Sequence, residues 1–408
     1  MNLPGELNIL HVLRAPVGGL FRHVLDLARG QAVRGHRVGL VVADASTGSE
    51  QAQRKLAYLA PALAFGVSRV RMSRHVGPRD IGALLHVKRR AKEIAADVIH
   101  GHGAKGGAYA RLAGAAGAIR VYTPHGGSLH YQWRTPAGMV YLSAERALMP
   151  RTDLLLFESA YGRDVFFAKV GEPPALTRVV HNGVSAEEFA PISQELETTD
   201  LVFVGELRAL KGIDLLIDAV ALLAREGRPT TATIAGDGRD RRALEARVAR
   251  LGLAGAVRFV GAMPARSAFA LGRLLVVCSR AESLPYIVIE GAAAGMPMLA
   301  ARVGGIPEIY GPYAGALVNP GDPAALAQAI AHALANPVAT AAAAQRLQSW
   351  VRASFSADIM TRSVLAAYGE ALVRARSAVN PLVPAKAGTQ VASLDSRLGG
   401  NERSALHS

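Results

Sequence analysis

Short apolar runs recur along the chain, each closed by glycine or a polar residue and each followed by a stretch with helical spacing. This alternation predicts βα units whose strands are buried on both faces of a parallel sheet. In the first half, strands are expected at Asn8–Leu13, Arg37–Ala43, Ala96–His100, Val121–Thr123, Asp153–Phe157 and Arg178–Val184. After an acidic, irregular stretch the pattern restarts, with strands expected at Leu201–Val204, Thr231–Ala235, Val257–Val260, Leu274–Cys278 and Met298–Ala301. Helical spacing fills the intervals, notably through Val24, Leu27 and Gln31 and over Ile81–Ile94, Tyr161–Ala168, Ile213–Leu223 and Ile287–Ala294.

The restart divides the chain. Residues 1–184 read as one Rossmann-like domain, 185–199 as a linker and 200–340 as a second Rossmann-like domain. Residues 341–376 read as C-terminal helices packing back toward the first domain, and 377–408, with Pro381 and Pro384 and no periodicity, as a disordered tail.

Composition narrows the picture only modestly. Cys278 is the sole cysteine, so no internal disulfide can form, and no apolar run reaches the length of a membrane span. Met1–Leu20 lacks the basic leader and unbroken apolar core of a signal peptide, so a cytoplasmic protein is expected. The formal charge of +14 would suit nucleic acid or anionic lipid, yet only seven of the 46 basic residues are lysine, a bias that a GC-rich genome also produces. The densest basic stretch, Arg69 to Lys92, is read as a solvated helix face or a peripheral contact with anionic lipid, and nucleic acid is not expected as a partner.

Candidate chemistry gathers at strand ends. Ser279–Pro297 joins a buried strand to a helix and carries Glu282 and Glu290 across the joint, where open α/β sheets hold their ligands. Ser283 is its expected N-cap, with Pro285 in the first turn. Arg208 and Lys211 lie in a loop bounded by Gly205 and Gly212, and Gly304-Gly305 could present backbone N–H groups; together they suit a diphosphate. Glu290 could accept two hydrogen bonds from vicinal hydroxyls, and Glu282 could take further ones. Gly236-Asp237-Gly238 closes another strand, and Gly18-Gly19 forms the first strand-to-helix turn. His102, Lys105 and His125 also fall at strand ends, and Tyr131 and Trp133 lie in a loop that could stack on a sugar or simply fill space. No His, Cys or Asp set shows the sequence spacing of a metal site.

With Glu282 and Glu290 in a Glu-x7-Glu arrangement, and Gly18-Gly19, Pro124-His125-Gly126, Asn182-Gly183, Gly205 with Lys211, Gly236-Asp237-Gly238 and Gly304-Gly305 with Glu308 in order around it, residues 8–375 resemble retaining family 4 glycosyltransferases of the bacterial surface-polysaccharide type. The resemblance implies an α/β GT-B fold, two facing Rossmann-like doubly wound domains with an interdomain cleft. It implies a UDP- or GDP-linked hexose-type donor and a glycan or lipid-linked acceptor met at the inner face of the cytoplasmic membrane, with no cofactor and no metal. Position by position it makes Glu290 the ribose ligand, Glu282 a ligand of the sugar hydroxyls and Lys211 the counter-charge to the diphosphate. His125 would sit beside the sugar and Gly18-Gly19 would close over the diphosphate. Two positions depart from the pattern: Glu206 stands where arginine is usual, with Arg208 as substitute, and Pro285 stands where glycine is usual. Those departures leave open a non-catalytic nucleotide-sugar-binding subunit of a glycosyltransferase complex; an epimerase or hydrolase on the same fold, with water in place of the acceptor, is a further alternative.

Overall fold

A computed structural model describes residues 5–44, 50–73, 76–195 and 197–379. The first sheet is built from β1 (Asn8–Leu13), β2 (Arg37–Ala43), β3 (Val67–Val70), β4 (Val98–His102), β5 (Ile119–Thr123), β6 (Leu154–Phe157) and β7 (Leu176–Val179), in the order 3-2-1-4-5-6-7 and parallel throughout. The second is built from β8 (Thr199–Val204), β9 (Ala232–Ala235), β10 (Val257–Gly261), β11 (Gly272–Val277) and β12 (Met298–Ala300), in the order 10-9-8-11-12 and also parallel. Both orders reverse direction beside the first strand of the domain, which opens a crevice at the carboxyl ends of the strands.

Helices cover both faces. In the first half they are α1 (Gly18–Val33), α2 (Glu50–Leu59), α3 (Arg79–Glu93), α4 (Gly103–Ala113), α5 (Pro136–Leu148) and α6 (Ala160–Lys169). In the second they are α7 (Ile213–Arg225), α8 (Arg241–Arg250), α9 (Ala265–Phe269), α10 (Tyr286–Ala293), α11 (Ile306–Tyr310), α12 (Pro323–Ala335), α13 (Pro337–Ser354) and α14 (Ala357–Val379). Separate apolar cores lie under each sheet. This is the α/β architecture expected, with two parallel-sheet domains facing one another.

The C-terminal helices expected over 341–376 are α13 and α14. Phe355 and Ser356 separate them because the chain crosses Val184 there: the Val184 N–H donates to the Phe355 carbonyl at 2.9 Å and the Ala357 N–H to the Val184 carbonyl at 2.9 Å. A Cβ at Gly183 would lie 2.3 Å from the Ser356 carbonyl oxygen, so only glycine permits the crossing. Beyond the break α13 packs on α10 through Leu347 and Val351, while α14 returns to the first domain and buries Val364, Leu365 and Tyr368 in its core. The expected tail lies outside the described residues from 380 onward.

Three other expectations shift. β7 spans Leu176–Val179 rather than running to Val184, which leaves Val180–Gly183 to enter the cleft. β3 is an edge strand with no buried residue, and α2 precedes it; neither shows in the apolar pattern. In α3 the buried side is Ala83, Val87 and Ala91, whereas Ile81 and Leu85 are 63% and 60% exposed beside Lys88, Arg89 and Lys92. Arg74 of the basic stretch lies outside the described residues.

Candidate active site

Glu282 and Glu290 are set by the loop between β11 and α10. At the end of β8 the chain passes Gly205 and turns through Ala209–Lys211 into Gly212, whose φ is 68°. A Cβ at Gly212 would lie 2.0 Å from the Cys278 carbonyl oxygen, so the glycine lets the turn rest on the end of β11. That contact delivers Lys211 to Glu282: Nζ donates to Oε1 at 2.6 Å, and the Ser279 hydroxyl donates to the same oxygen at 2.6 Å. Arg280 ties the turn down by donating to the Ala209 carbonyl at 2.7 Å and to both Asp214 oxygens at 2.8 and 2.6 Å. These bonds hold the Asp214 carboxyl below its usual range. Arg208 is partly exposed, with its guanidinium 3.3 Å from Glu206.

Glu290 is buried on α10 and pairs with Arg22, which reaches across the cleft from α1. Arg22 also donates to Glu188 at 2.8 Å and lies 5.0 Å above the Tyr286 ring. Gly18, with φ 66°, opens α1, and a Cβ at Gly19 would press on Tyr286 at 3.0 Å. A cavity of about 390 Å³ is lined here by Gly18, Gly19, Arg22, Lys55, Tyr286 and Glu290, so both domains contribute to it.

The remaining glycines mark close approaches. A Cβ at Gly236 would lie 1.8 Å from the Gly205 carbonyl oxygen, and one at Gly304 would lie 1.7 Å from that of Glu282. Asp237 sits exposed at the rim, its carboxylate accepting from the Gly238 N–H at 2.8 Å. The Gly305 N–H donates to the Ser283 carbonyl at 2.7 Å, so it supports the Glu-x7-Glu turn instead of pointing at a ligand. Nor is Ser283 the N-cap: Pro285 holds that position without a capping bond, and the Ser283 side chain bonds Glu158.

On the facing side the first sheet brings histidines together. His125, in the left-handed region at φ 51°, follows β5, and its ring is 5% exposed. Its Nδ1 lies 2.7 Å from Glu158 Oε2 and its Nε2 lies 3.1 Å from His102 Nδ1. His102 Nε2 lies 3.0 Å from His11 Nδ1, and His11 Nε2 lies 2.8 Å from the Gln31 side-chain oxygen. His100 is held between Tyr368 at 2.6 Å and Thr123 at 2.8 Å. Burial disfavours the charged ring and pushes His11 down to about 4 and His23 to about 3, with His100 and His102 also well below the ordinary histidine value. Burial would raise Glu158, but His125 and Ser283 hold it below the usual carboxylate value.

These contacts revise several expectations. His102 is buried and spends both nitrogens on other histidines, so it does not face an acceptor. Lys105 donates to Asp80 at 2.6 Å, as does Tyr109 at 2.5 Å, which makes a structural ion pair between α4 and α3. Trp133 donates to the Lys169 carbonyl at 2.8 Å and is covered by Arg146, while Tyr131 stacks on Tyr141 at 4.7 Å. Both rings are held by their own domain.

Glu308 on α11 bridges the halves, accepting from the Ala160 and Tyr161 N–H groups at 2.8 and 2.9 Å and lying 2.9 Å from His181 Nε2. It thereby caps the first turn of α6, a favourable place for an anion. Asn182 donates to the Leu284 carbonyl at 3.2 Å. Below the cleft, Glu145 accepts from Arg111 at 2.8 Å, Tyr122 at 2.7 Å and Ser128 at 2.8 Å, pinning the loop that follows His125. Arg22, His23 and Glu145 are therefore candidate site residues without a sequence signal of their own, whereas Glu158 and Ser279 stand at the ends of strands β6 and β11. Two histidine triads, His11-His100-His102 and His23-His102-His125, are close enough in space to hold a metal ion, although no sequence spacing suggests one. Their ring nitrogens are largely engaged in hydrogen bonds to protein groups.

Paired carboxylates and a lysine at one sheet's crevice, opposite a histidine turn at the other's, define a two-domain transferase architecture of the GT-B kind. The Glycosyltransferase Family 4 profile matches residues 17–188 and the Glycosyl transferases group 1 profile matches residues 198–336, so the chain belongs to these glycosyltransferases. It is 30% identical over 272 residues to a D-inositol 3-phosphate glycosyltransferase of Streptomyces coelicolor, across 56% of this chain and 60% of that protein. It is 28% identical over 385 residues to a glycogen synthase of Mycobacterium tuberculosis, across 88% of this chain and 92% of that one. Anabaena HepE in complex with UDP superposes with a TM-score of 0.72 at 19% identity, over 90% of this chain and all of that one. Sucrose-phosphate synthase from Thermosynechococcus elongatus gives 0.73 at 20% identity, over 92% of this chain and all of that one. At these identities the solved structures show a shared fold.

Proposed function

We propose that the protein transfers a hexose-type sugar from a nucleotide diphosphate sugar, UDP- or GDP-linked, to a glycan or lipid-linked acceptor in bacterial polysaccharide synthesis, with retention at the anomeric carbon. The observation that carries this reading is that Glu290 lines the cavity that Gly18-Gly19 closes from the other domain, while the Lys211–Glu282 pair is held in the turn that leads into the same helix. A ribose takes the place of Arg22 on Glu290, and the sugar hydroxyls meet Glu282. Lys211 turns from Glu282 to the diphosphate, with Arg208 beside it. The C1–O bond to the diphosphate breaks as the acceptor oxygen bonds C1 on the same face, and the acceptor proton passes to the departing phosphate oxygen. Lys211 and Arg208 stabilise the charge that develops there, so no metal or cofactor is called on. Solved neighbours of this fold bind UDP and UDP-glucose, which favours a uridine donor.

No helix among the described residues is long and apolar enough to cross a membrane. The exposed Ile81 and Leu85 beside Lys88, Arg89 and Lys92 favour a peripheral contact with anionic lipid, where a lipid-linked acceptor would be found. The test of the reaction is nucleotide release from a panel of UDP-, GDP- and ADP-sugars, with and without lipid-linked acceptor extract, with the anomeric configuration of the product read by NMR. Turnover that survives in Glu290→Gln overturns the site assignment. No release from any donor under any acceptor condition favours a binding subunit.

A further inference from the structure

Among the described residues, every hydrogen bond of the Glu308 side chain leads to the first domain. Oε1 accepts from the Tyr161 N–H at 2.9 Å, while Oε2 accepts from the Ala160 N–H at 2.8 Å and lies 2.9 Å from His181 Nε2. The first turn of α6 already has a cap of its own, since the Ser159 hydroxyl accepts from the Gly162 N–H at 2.9 Å. Ala160 and Tyr161 carry N–H groups that this cap leaves over, and in an open cleft water would satisfy them. Burial would raise the Glu308 carboxyl, but His181 and the two N–H groups hold it below the usual carboxylate value, so it stays an anion.

Within its own domain Glu308 is tied to the Glu-x7-Glu turn. It stands on the first turn of α11, directly after Gly304-Gly305, where the Gly305 N–H donates to the Ser283 carbonyl at 2.7 Å and a Cβ at Gly304 would come within 1.7 Å of the Glu282 carbonyl oxygen. α11 therefore moves with the turn that carries Glu282. On the facing side Ala160 and Tyr161 come just after Glu158, which lies 2.7 Å from His125 Nδ1 and is bonded by Ser283 across the same gap. His181 belongs to the segment that enters the cleft before the crossing at Val184, and its ring lies 5.0 Å from that of Phe355, which takes part in the crossing. One carboxylate thus joins the donor turn to the histidine wall and to the place where the chain passes between the domains.

We infer that Glu308 is a positioning residue that fixes the turn of Glu282 against the His125–Glu158 wall, so that the donor sugar and the first domain meet at a set distance. The pair of Arg22 with Glu290 also joins the domains, but a ribose on Glu290 ends it. Glu308 is not among the residues that line the cavity at Glu290, so its bonds outlast the arrival of a donor. Its effect on turnover rests on the proposed reaction, whereas its effect on domain geometry rests on the contacts alone.

The test measures domain geometry and turnover in the full chain. Spin labels on Val33→Cys and Val338→Cys, both exposed and one on each domain, report the distance between the halves by double electron–electron resonance, with the buried Cys278 out of reach of the label. Glu308→Gln keeps the size of the side chain but replaces one acceptor oxygen with an amide donor, and it is expected to broaden the distance distribution. Should it not fold, Ala160→Pro breaks the tie from the facing side, because proline is accepted at the first position of a helix and only the N–H is lost. An unchanged distribution in the folded variant overturns the inference. In nucleotide release from UDP-glucose, the same variant is expected to lower kcat about 10²-fold, as a misplacement of about 1 Å does, while the Kd for UDP changes little. Weaker UDP binding with kcat unchanged overturns the positioning role, since a residue that only stabilised the donor domain would act that way. If wild type neither binds UDP nor releases nucleotide, the proposed reaction fails, and the distance measurement still decides whether Glu308 sets the domain geometry.

Discussion

The first domain brings histidines to the cleft and the second brings carboxylates, and the two sets are stabilised in opposite ways. His11, His23, His100 and His102 are buried, favoured as neutral rings and bonded to neighbours within the same domain or its returning helix. Glu282, Lys211, Asp214 and Arg280 are charged, partly exposed and paired within one loop system. Buried neutral rings make a rigid wall that tolerates little change of charge. Paired surface charges can exchange partners at low cost, which a diphosphate arriving at Lys211 would require.

Acid should separate the halves most sharply. His11 and His23 have folded-state values of about 4 and about 3, below the 6.5 expected when unfolded, so the unfolded chain binds more protons under pH 6.5. Their contribution to stability is therefore full above pH 6.5 and is lost as the pH falls toward those folded values, by about 1.4 kcal/mol per pH unit for each ring. Hydrogen exchange at pH 5 is expected to show β1 and β4 opening while β8 and β11 stay protected. Equal protection of both sheets would erase the contrast.

Two arginine substitutions probe the same difference at fixed pH. Arg111→Met leaves Glu145 buried without its cation and should cost about 3–5 kcal/mol in urea unfolding, because the pair is almost wholly out of solvent. Arg280→Met breaks a pair that is about one-third exposed and should cost about 1 kcal/mol or less. Comparable losses at the two sites would mean that the second domain is as charge-intolerant as the first. In the assay for nucleotide release, Lys211→Met should lower kcat about 10²-fold, the size expected for losing one group that stabilises developing charge. An unchanged kcat would return Lys211 to a purely structural partner of Glu282.

The contrast also explains what could be read before the fold was known. Strand ends announce themselves locally, through β-branched runs closed by glycine, so the two sheets apart from β3, the turn carrying Glu282 and Glu290 and the loop carrying Lys211 were visible in the pattern. Gly212, Gly236 and Gly304 showed as turns, although their need for close backbone approach appears only in three dimensions. The histidine wall was hidden because its members come from β1, α1, β4 and the turn after β5, and no spacing along the chain links them. His102 and Lys105 were visible as polar residues at a strand end, but whether such a group faces the cleft or a buried neighbour depends on packing. Arg22 and Glu308 act across the domain interface, which local periodicity does not encode.

The smallest effect concerns α3, which extends the comparison from the cleft to the outer surface. Its apolar residues divide: Ala83, Val87 and Ala91 pack inward, while Ile81 and Leu85 stand exposed with Lys88, Arg89 and Lys92 near them. A helix that is only solvated has little reason to present large apolar groups, whereas one lying on lipid buries them and gains about 1 kcal/mol for each basic residue near an anionic surface. Sedimentation with phosphatidylglycerol vesicles should therefore show binding at low salt that weakens as salt rises, since the attraction is screened. Replacing Lys88, Arg89 and Lys92 with glutamine should reduce that binding about a hundredfold while leaving nucleotide release from a soluble acceptor unchanged. Leu85→Ser alone should weaken it less and without altering its salt dependence, because the group removed is apolar. Wild-type protein that stays in the supernatant at low salt would make α3 a solvated face after all, and would leave the cleft as the place where the two domains differ in charge.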